Sequence, residues 1–77
     1  MKIKITKPNS ILFEGDAKLL QLPGAGGKFE ILENHAPIIS TLTKGDVEYA
    51  GNVLPILGGF VEVQKNQVSL CVELKEE

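Results

Sequence analysis

A chain of 77 residues leaves room for one domain, expected to span residues 1–77, and at that size only about 60% of the unfolded surface is buried on folding. One cysteine, Cys71, and one histidine, His35, exclude an intrachain disulfide and a four-ligand zinc site, so no metal is expected and a stabilising partner is. The formal charge is −2, and the eight basic residues are all lysines scattered along the chain, without the basic stripe a nucleic-acid binder needs.

No apolar run approaches the roughly 20 residues of a membrane-spanning helix. Met1 to Lys7 alternates charge with isoleucine, which is not the pattern of a signal peptide. The expectation is a soluble protein of a reducing compartment, attached to a membrane, if at all, through another subunit and with no direct lipid insertion.

The chain begins with a period of two. Ile3 and Ile5 alternate with Lys2, Lys4 and Thr6, which predicts a half-buried strand over 2–7. Pro8-Asn9 and Gly15-Asp16 bracket a second strand at 10–14, and Pro23-Gly24 closes a third at 17–22. Strands are expected next at 28–33 and 38–42. In the second of these, Ile38, Ile39 and Thr41 are β-branched and favour a strand over a helical turn. Gly45-Asp46, Gly51-Asn52 and Gly58-Gly59 delimit strands at 45–51, 53–57 and 59–64. The last strand, 67–74, follows Lys65-Asn66, a tight hairpin turn between two alternating segments, and places Val68, Leu70, Val72 and Leu74 on the core face. About nine short, mostly antiparallel strands with closely spaced breakers predict an all-β fold, a flattened β-sandwich or barrel with no helix longer than about two turns. The acidic end, Glu76-Glu77, is expected to fray.

Three stretches could carry chemistry. Pro23-Gly24-Ala25-Gly26-Gly27-Lys28 looks like a phosphate cradle, but Leu22 and Phe29 occupy the positions where a phosphate loop needs glycine and a hydroxyl residue. Phe29 also replaces the third glycine of a dinucleotide fingerprint, and no helix follows to bind an anion. The stretch therefore reads as an exposed turn, and no cofactor is expected. Asn34-His35-Ala36-Pro37 contains the only imidazole. A hydrolase would have to pair it with Cys71, whose alternating strand marks it instead as a small buried hydrophobe. Gly58-Gly59-Phe60-Val61-Glu62-Val63 opens a strand with two glycines, as a sharp bend or close backbone approach requires.

These stretches form one ordered set. Phe13-Glu14-Gly15, Gly27-Lys28-Phe29-Glu30-Ile31-Leu32 running into Asn34-His35-Ala36-Pro37, Leu42 with Gly45, Gly58 to Val63, and Asn66 with Val68 resemble the epsilon subunit of F-type ATP synthases over residues 3 to about 74. The resemblance implies a β-sandwich at the foot of the central stalk, a rotor component that is not itself an enzyme. It implies that one side meets the gamma subunit and a loop touches the membrane rotor ring. Carried onto this chain, the gamma-facing residues are His35, Ala36, Pro37 and Ile38, and the ring-facing loop is Ala25, Gly26, Gly27, Lys28 and Phe29. The implied location is peripheral, on the cytoplasmic face of the energy-transducing plasma membrane. Many members continue into a C-terminal helical hairpin that inhibits ATP hydrolysis and sometimes binds ATP. This chain stops at Glu77 and reads as a naturally short subunit, so neither property is expected of it.

The alternative is a biotinyl- or lipoyl-type carrier domain, also all-β and about this long, modified on a hairpin-tip lysine. Lys65 sits at such a tip. Its neighbours Gln64 and Asn66 are not the Met-Lys-Met or Asp-Lys-Ala setting of those carriers.

Overall fold

The computed structural model describes residues 1–74; the expected fraying at Glu76-Glu77 falls outside them. Nine strands run in chain order: β1 Lys2–Lys7, β2 Ser10–Asp16, β3 Leu19–Gly24, β4 Gly27–Leu32, β5 Ile38–Leu42, β6 Gly45–Tyr49, β7 Asn52–Ile56, β8 Gly58–Gln64 and β9 Gln67–Glu73. No helix forms among the described residues. The fold is the all-β flattened sandwich the alternation predicts, with extents of 36 × 27 × 21 Å.

The strands hydrogen-bond in the order β2-β1-β9-β8-β5-β3-β6-β7, with β4 on β3. All pairs are antiparallel except β1 with β9. A corner divides this path into two layers. At the corner β5 touches β3 only through Gly24 and Leu42, and the chain then turns through Thr43 and Lys44 into β6, which pairs with β3 at Leu20 and Gln21. The Thr43 amide donates to the Pro23 carbonyl at 2.9 Å and holds the corner shut.

Alternation sends one set of side chains between the layers. Ile3 and Ile5 of β1, Val61 and Val63 of β8, and Val68, Leu70 and Val72 of β9 meet Leu20 and Leu22 of β3, Ile31 of β4 and Val47 of β6 in one buried cluster. Burying each such side chain contributes about 1.5–3 kcal/mol relative to leaving it exposed. Phe13 of β2 meets Tyr49 of β6 with ring centroids 4.7 Å apart at 53°, joining the edge of the first layer to the second. Aromatic pairs favour such tilted arrangements.

The turns follow residue chemistry. Lys65 and Asn66 both have positive φ, 51° and 60°, between Gln64 and Gln67, a two-residue turn whose twist suits the strands it joins. Ala50-Gly51 links β6 and β7 in the same way, with φ of 46° and 80°. Two expected frames are corrected. β3 runs over 19–24 rather than 17–22. The Ala17 amide is spent on the Met1 carbonyl, and Pro23 and Gly24 extend the ladder opposite Lys28 and Gly27, so the turn is Ala25-Gly26 alone. β2 extends to Asp16 because Lys2 and Ile3 pair with Asp16 and Gly15. The other strands match within two residues. Leu74 is half-buried against the core, whereas Val68, Leu70 and Val72 are fully buried.

The ammonium of Met1 donates to Glu33 Oε1 at 2.9 Å and to the Ala17 carbonyl at 3.1 Å, tying the start of β1 to the ends of β2 and β4. That hydrogen bond, and then the ammonium's charge, hold the Glu33 carboxyl below its ordinary value. A carboxylate with a depressed folded-state pKa stabilises the fold above its ordinary pKa, and that contribution is lost as pH falls through the depressed value. The melting temperature is therefore expected to fall on acidification across the carboxylate range. Glu33→Gln should flatten that part of the profile, measured by thermal denaturation at stepped pH. The effect is modest because Glu33 is half-exposed to solvent.

Candidate functional site

The residues singled out in sequence fall on two parts of the sandwich. Asn34 takes a positive φ of 62° two residues past the end of β4, which turns the chain out of the second layer and towards β5. Its amide donates to Asn66 Oδ1 at 2.8 Å, so the 34–37 segment is moored on the β8–β9 turn. The His35 amide donates to the Leu32 carbonyl at 3.1 Å, and its Nδ1 lies 2.7 Å from the carbonyl oxygen of Ala36. Ala36 and Pro37 are exposed. Ile38 opens β5 opposite Val63 and packs against the core, whereas Ile39 is 77% exposed.

Ile39 belongs to a wider surface that sequence reading missed. Across the outside of the first layer, ladder pairing lines up Ile11, Thr6, Cys71, Phe60 and Thr41, one residue from each of five strands. The adjoining row is Lys4, Ser69, Glu62 and Ile39. Ile11, Phe60 and Ile39 are all large and exposed. A shallow groove along Pro37, Ile38, Ile39 and Glu62 joins this face to the 34–37 segment. Alternation could have flagged Phe60 and Ile39 as outward, but not that Ile11 shares their face.

Cys71 also lies on this outer face, half-buried against the β8 register position of Phe60, and not in the core as expected. With Val68, Leu70 and Val72 inside, a two-residue period leaves Cys71 no inward position. It is remote from His35. Asn34 sits beside Asn66, and Cys71 is five residues further along, about 16 Å of strand at 3.3 Å per residue. Thiol and imidazole are therefore not placed to act as a nucleophile–base pair.

The second part is the opposite end of the sandwich. Gly24 faces Gly27 across the Ala25-Gly26 turn, Gly24 also faces Leu42, Leu42 faces Gly59, and Gly58 faces Glu73. The turns at 24–27, 43–44 and 57 therefore share one end, and parallel pairing of β1 with β9 brings the Pro8-Asn9 turn to it as well. Ala25, Gly26, Gly27 and Lys28 are exposed, while Phe29 is half-buried with its ring over Gly24. A Cβ on Gly24 would lie 2.8 Å from that ring. The hairpin therefore presents backbone and the Lys28 side chain at its tip and keeps its aromatic inward. Lys65 is exposed at the other end, on the β8–β9 turn.

No group of three metal-ligating side chains gathers among the described residues. A groove of about 500 Å³, open to solvent, runs between Lys18-Leu19 and the β6–β7 turn and includes Tyr49.

Known proteins share this architecture and sequence. The family model described as ATP synthase, Delta/Epsilon chain, beta-sandwich domain matches residues 1–77. The ATP synthase epsilon chain of Leptospira interrogans serovar copenhageni is 38% identical over 84 residues, covering all of this chain and 66% of its own length. That of Gloeobacter violaceus is 39% identical, with 99% and 61% covered. That of Caulobacter vibrioides is 34% identical, with 95% and 90% covered. This chain thus spans just under two thirds of the first two relatives and nearly all of the third. Among solved structures, a chain of the Tetrahymena thermophila mitochondrial ATP synthase central stalk and c-ring superposes with a TM-score of 0.83 at 13% identity, covering 94% of this chain and 62% of its own. A chain of the Euglena gracilis mitochondrial ATP synthase superposes at 0.81 and 18% identity, covering 91% and 48%. Those two likenesses speak for the fold, and the sequence matches speak for kinship: the chain belongs to the ATP synthase delta/epsilon chain β-sandwich domain family.

Proposed function

We propose that this chain is a non-catalytic central-stalk subunit of a proton- or sodium-driven F-type ATP synthase, linking the gamma subunit to the membrane rotor ring. The observation that carries the proposal is the family match over the whole chain. The distribution of surface features supports it. An outer sheet face bearing Ile11, Ile39 and Phe60 runs into Ala36 and Pro37, and an apolar face rimmed by polar residues suits a protein partner. On this reading that face, with His35 to Ile38 beside it, meets gamma. The hairpin tip at Ala25 to Phe29, at the far end, meets the ring. The subunit then acts as a rigid spacer at the cytoplasmic face of the plasma membrane and carries torque through packing alone.

The carrier alternative has less support. Lys65 is exposed at a hairpin tip, but Gln64 and Asn66 flank it and the family match points elsewhere. Intact mass from cells with active biotin and lipoate ligases separates the readings, since an added prosthetic group would favour the carrier.

Affinity-tagging the chain in its own organism should bring down the alpha, beta and gamma subunits; recovery of the chain without them would overturn the proposal. Ala36→Asp should weaken gamma binding at least tenfold, because docking would bury an unpaired carboxylate. The isolated fold should be unchanged, since Ala36 is exposed. Calorimetric titration against gamma checks this, and unchanged affinity would place the interface on another face.

A further inference from the structure

Glycine would serve the backbone of the β8–β9 turn at least as well as the asparagine it carries. Lys65 and Asn66 both hold positive φ, the geometry of a two-residue turn that favours glycine in second place. The β6–β7 turn follows that preference, with Ala50 before Gly51. What Asn66 adds is a side-chain acceptor, and it is in use: Oδ1 accepts the Asn34 amide at 2.8 Å, from 32 residues away in sequence. The base of that side chain is fixed, because the Asn66 carbonyl accepts the Lys2 amide at 3.1 Å where β1 joins β9. Beyond Asn34 the contacts run in series. The His35 amide closes a turn onto the Leu32 carbonyl, with Asn34 in its positive-φ position, and His35 Nδ1 lies 2.7 Å from the Ala36 carbonyl oxygen. Leu32 ends β4 and Ile38 begins β5, so residues 33–37 cross between the layers outside any strand. The Met1 ammonium also holds this crossing, but through the half-exposed side chain of Glu33. Among the described residues, the Asn34–Asn66 bond is the one that ties the backbone of the crossing to a part of the sandwich beyond its own flanking strands.

We infer that Asn66 is a positioning residue for the partner contact at His35 to Ile38: its side chain sets the path of the crossing, so that His35, Ala36 and Pro37 meet the gamma subunit in one arrangement. This rests on the gamma-contact reading above and deepens it. Ala36 and Pro37 are exposed, so burial does not order them. A crossing released from Asn66 samples other paths, and a partner's affinity for a segment that is only partly in the competent arrangement falls by that fraction. The bond to Asn66 removes that ordering cost before docking begins. Because the effect falls on an exposed segment and not on the core, it separates from stability. Glycine at position 66 keeps the turn and the carbonyl that Lys2 uses, and deletes only the acceptor.

The test is calorimetric titration of the chain against the gamma subunit of the same enzyme, beside the melting temperature and amide hydrogen exchange of the free chain. Asn66→Gly should hold or raise the melting temperature and yet weaken gamma binding roughly three- to tenfold, the span of one modest hydrogen bond. Exchange at the Asn34 amide should quicken in the same variant. Asn66→Asp keeps an oxygen acceptor and tolerates the left-handed backbone, so it should restore both the affinity and the slow exchange. A melting temperature that falls in step with affinity, with no rescue by aspartate, makes Asn66 a residue of the fold alone and overturns the inference. Parental affinity in Asn66→Gly while Ala36→Asp still weakens binding also overturns it, and leaves the gamma contact standing. Full affinity in both Asn66→Gly and Ala36→Asp defeats the contact and the inference together.

Discussion

Gly59→Ala is expected to leave this chain largely unfolded at room temperature. Gly59 holds φ at 151°, a conformation that residues with a Cβ rarely adopt. A Cβ there would lie 2.2 Å from the Cys71 carbonyl oxygen and 3.0 Å from the Val72 Cα. Both obstacles are backbone, so no side chain can swing aside. β9 cannot retreat either, since it is paired on its far side with β1 from Lys2 to Thr6. Relief requires opening the β8–β9 ladder at its start, where Gly59 also pairs with Leu42 of β5. Backbone strain alone costs about 1–3 kcal/mol, and the contact adds to it. A domain of this size has only roughly 4–11 kcal/mol in total at 0.05–0.15 kcal/mol per residue. Urea titration followed by far-ultraviolet circular dichroism measures the loss. Gly26→Ala is the control, because a Cβ on Gly26 meets nothing within 4 Å, and its midpoint should stay near the parent's. A Gly59→Ala midpoint equal to the parent's would show that the two strands do not approach this closely.

Leu70→Ala should destabilise the domain by about 2–4 kcal/mol, the usual cost of a truncated core leucine with its cavity. Leu70 is 1% exposed and sits at the centre of the first layer, paired with Ile5 on one side and Val61 on the other. Its side chain meets the second layer across the core, so truncation removes contacts on every side and the paired strands cannot collapse into the gap. Ile39→Ala removes nearly as much apolar volume from the outer face and should change the stability of the isolated chain little, as is usual for exposed positions. Comparing the two urea midpoints separates core from surface. A negligible cost for Leu70→Ala would mean that β9 is shifted by one residue, which would exchange its two faces.

Both substitutions also bear on how much of this molecule is written locally. Strand existence was legible because a two-residue period is a property of neighbours in sequence: β1 and β5 fall where alternation and β-branching place them, and Lys65-Asn66 makes the hairpin its residues suit. Inward residues followed from the same period, and with them the outward side of Cys71, a signal present in the sequence and read the wrong way. The close approach that demands glycine at Gly58-Gly59 was also anticipated, though not that β9 backbone supplies it. Other features depended on partners far along the chain. Pro23 and Gly24 read as breakers but extend β3, because proline ends a ladder only where its missing amide hydrogen is needed, and here Pro23 is used through its carbonyl by Thr43. The parallel pairing of β1 with β9 joins residues more than sixty positions apart, and no local pattern encodes it. The surfaces proposed to meet partners have the same character. Ile11, Phe60 and Ile39 share a face, and the Ala25-Gly26 tip shares an end with the turns at 43–44 and 57, only because the ladder brings those strands together. Alternation determines which way each side chain points; which side chains become neighbours is decided by register and by the corner between β5 and β3, where burial of both layers selects one closure.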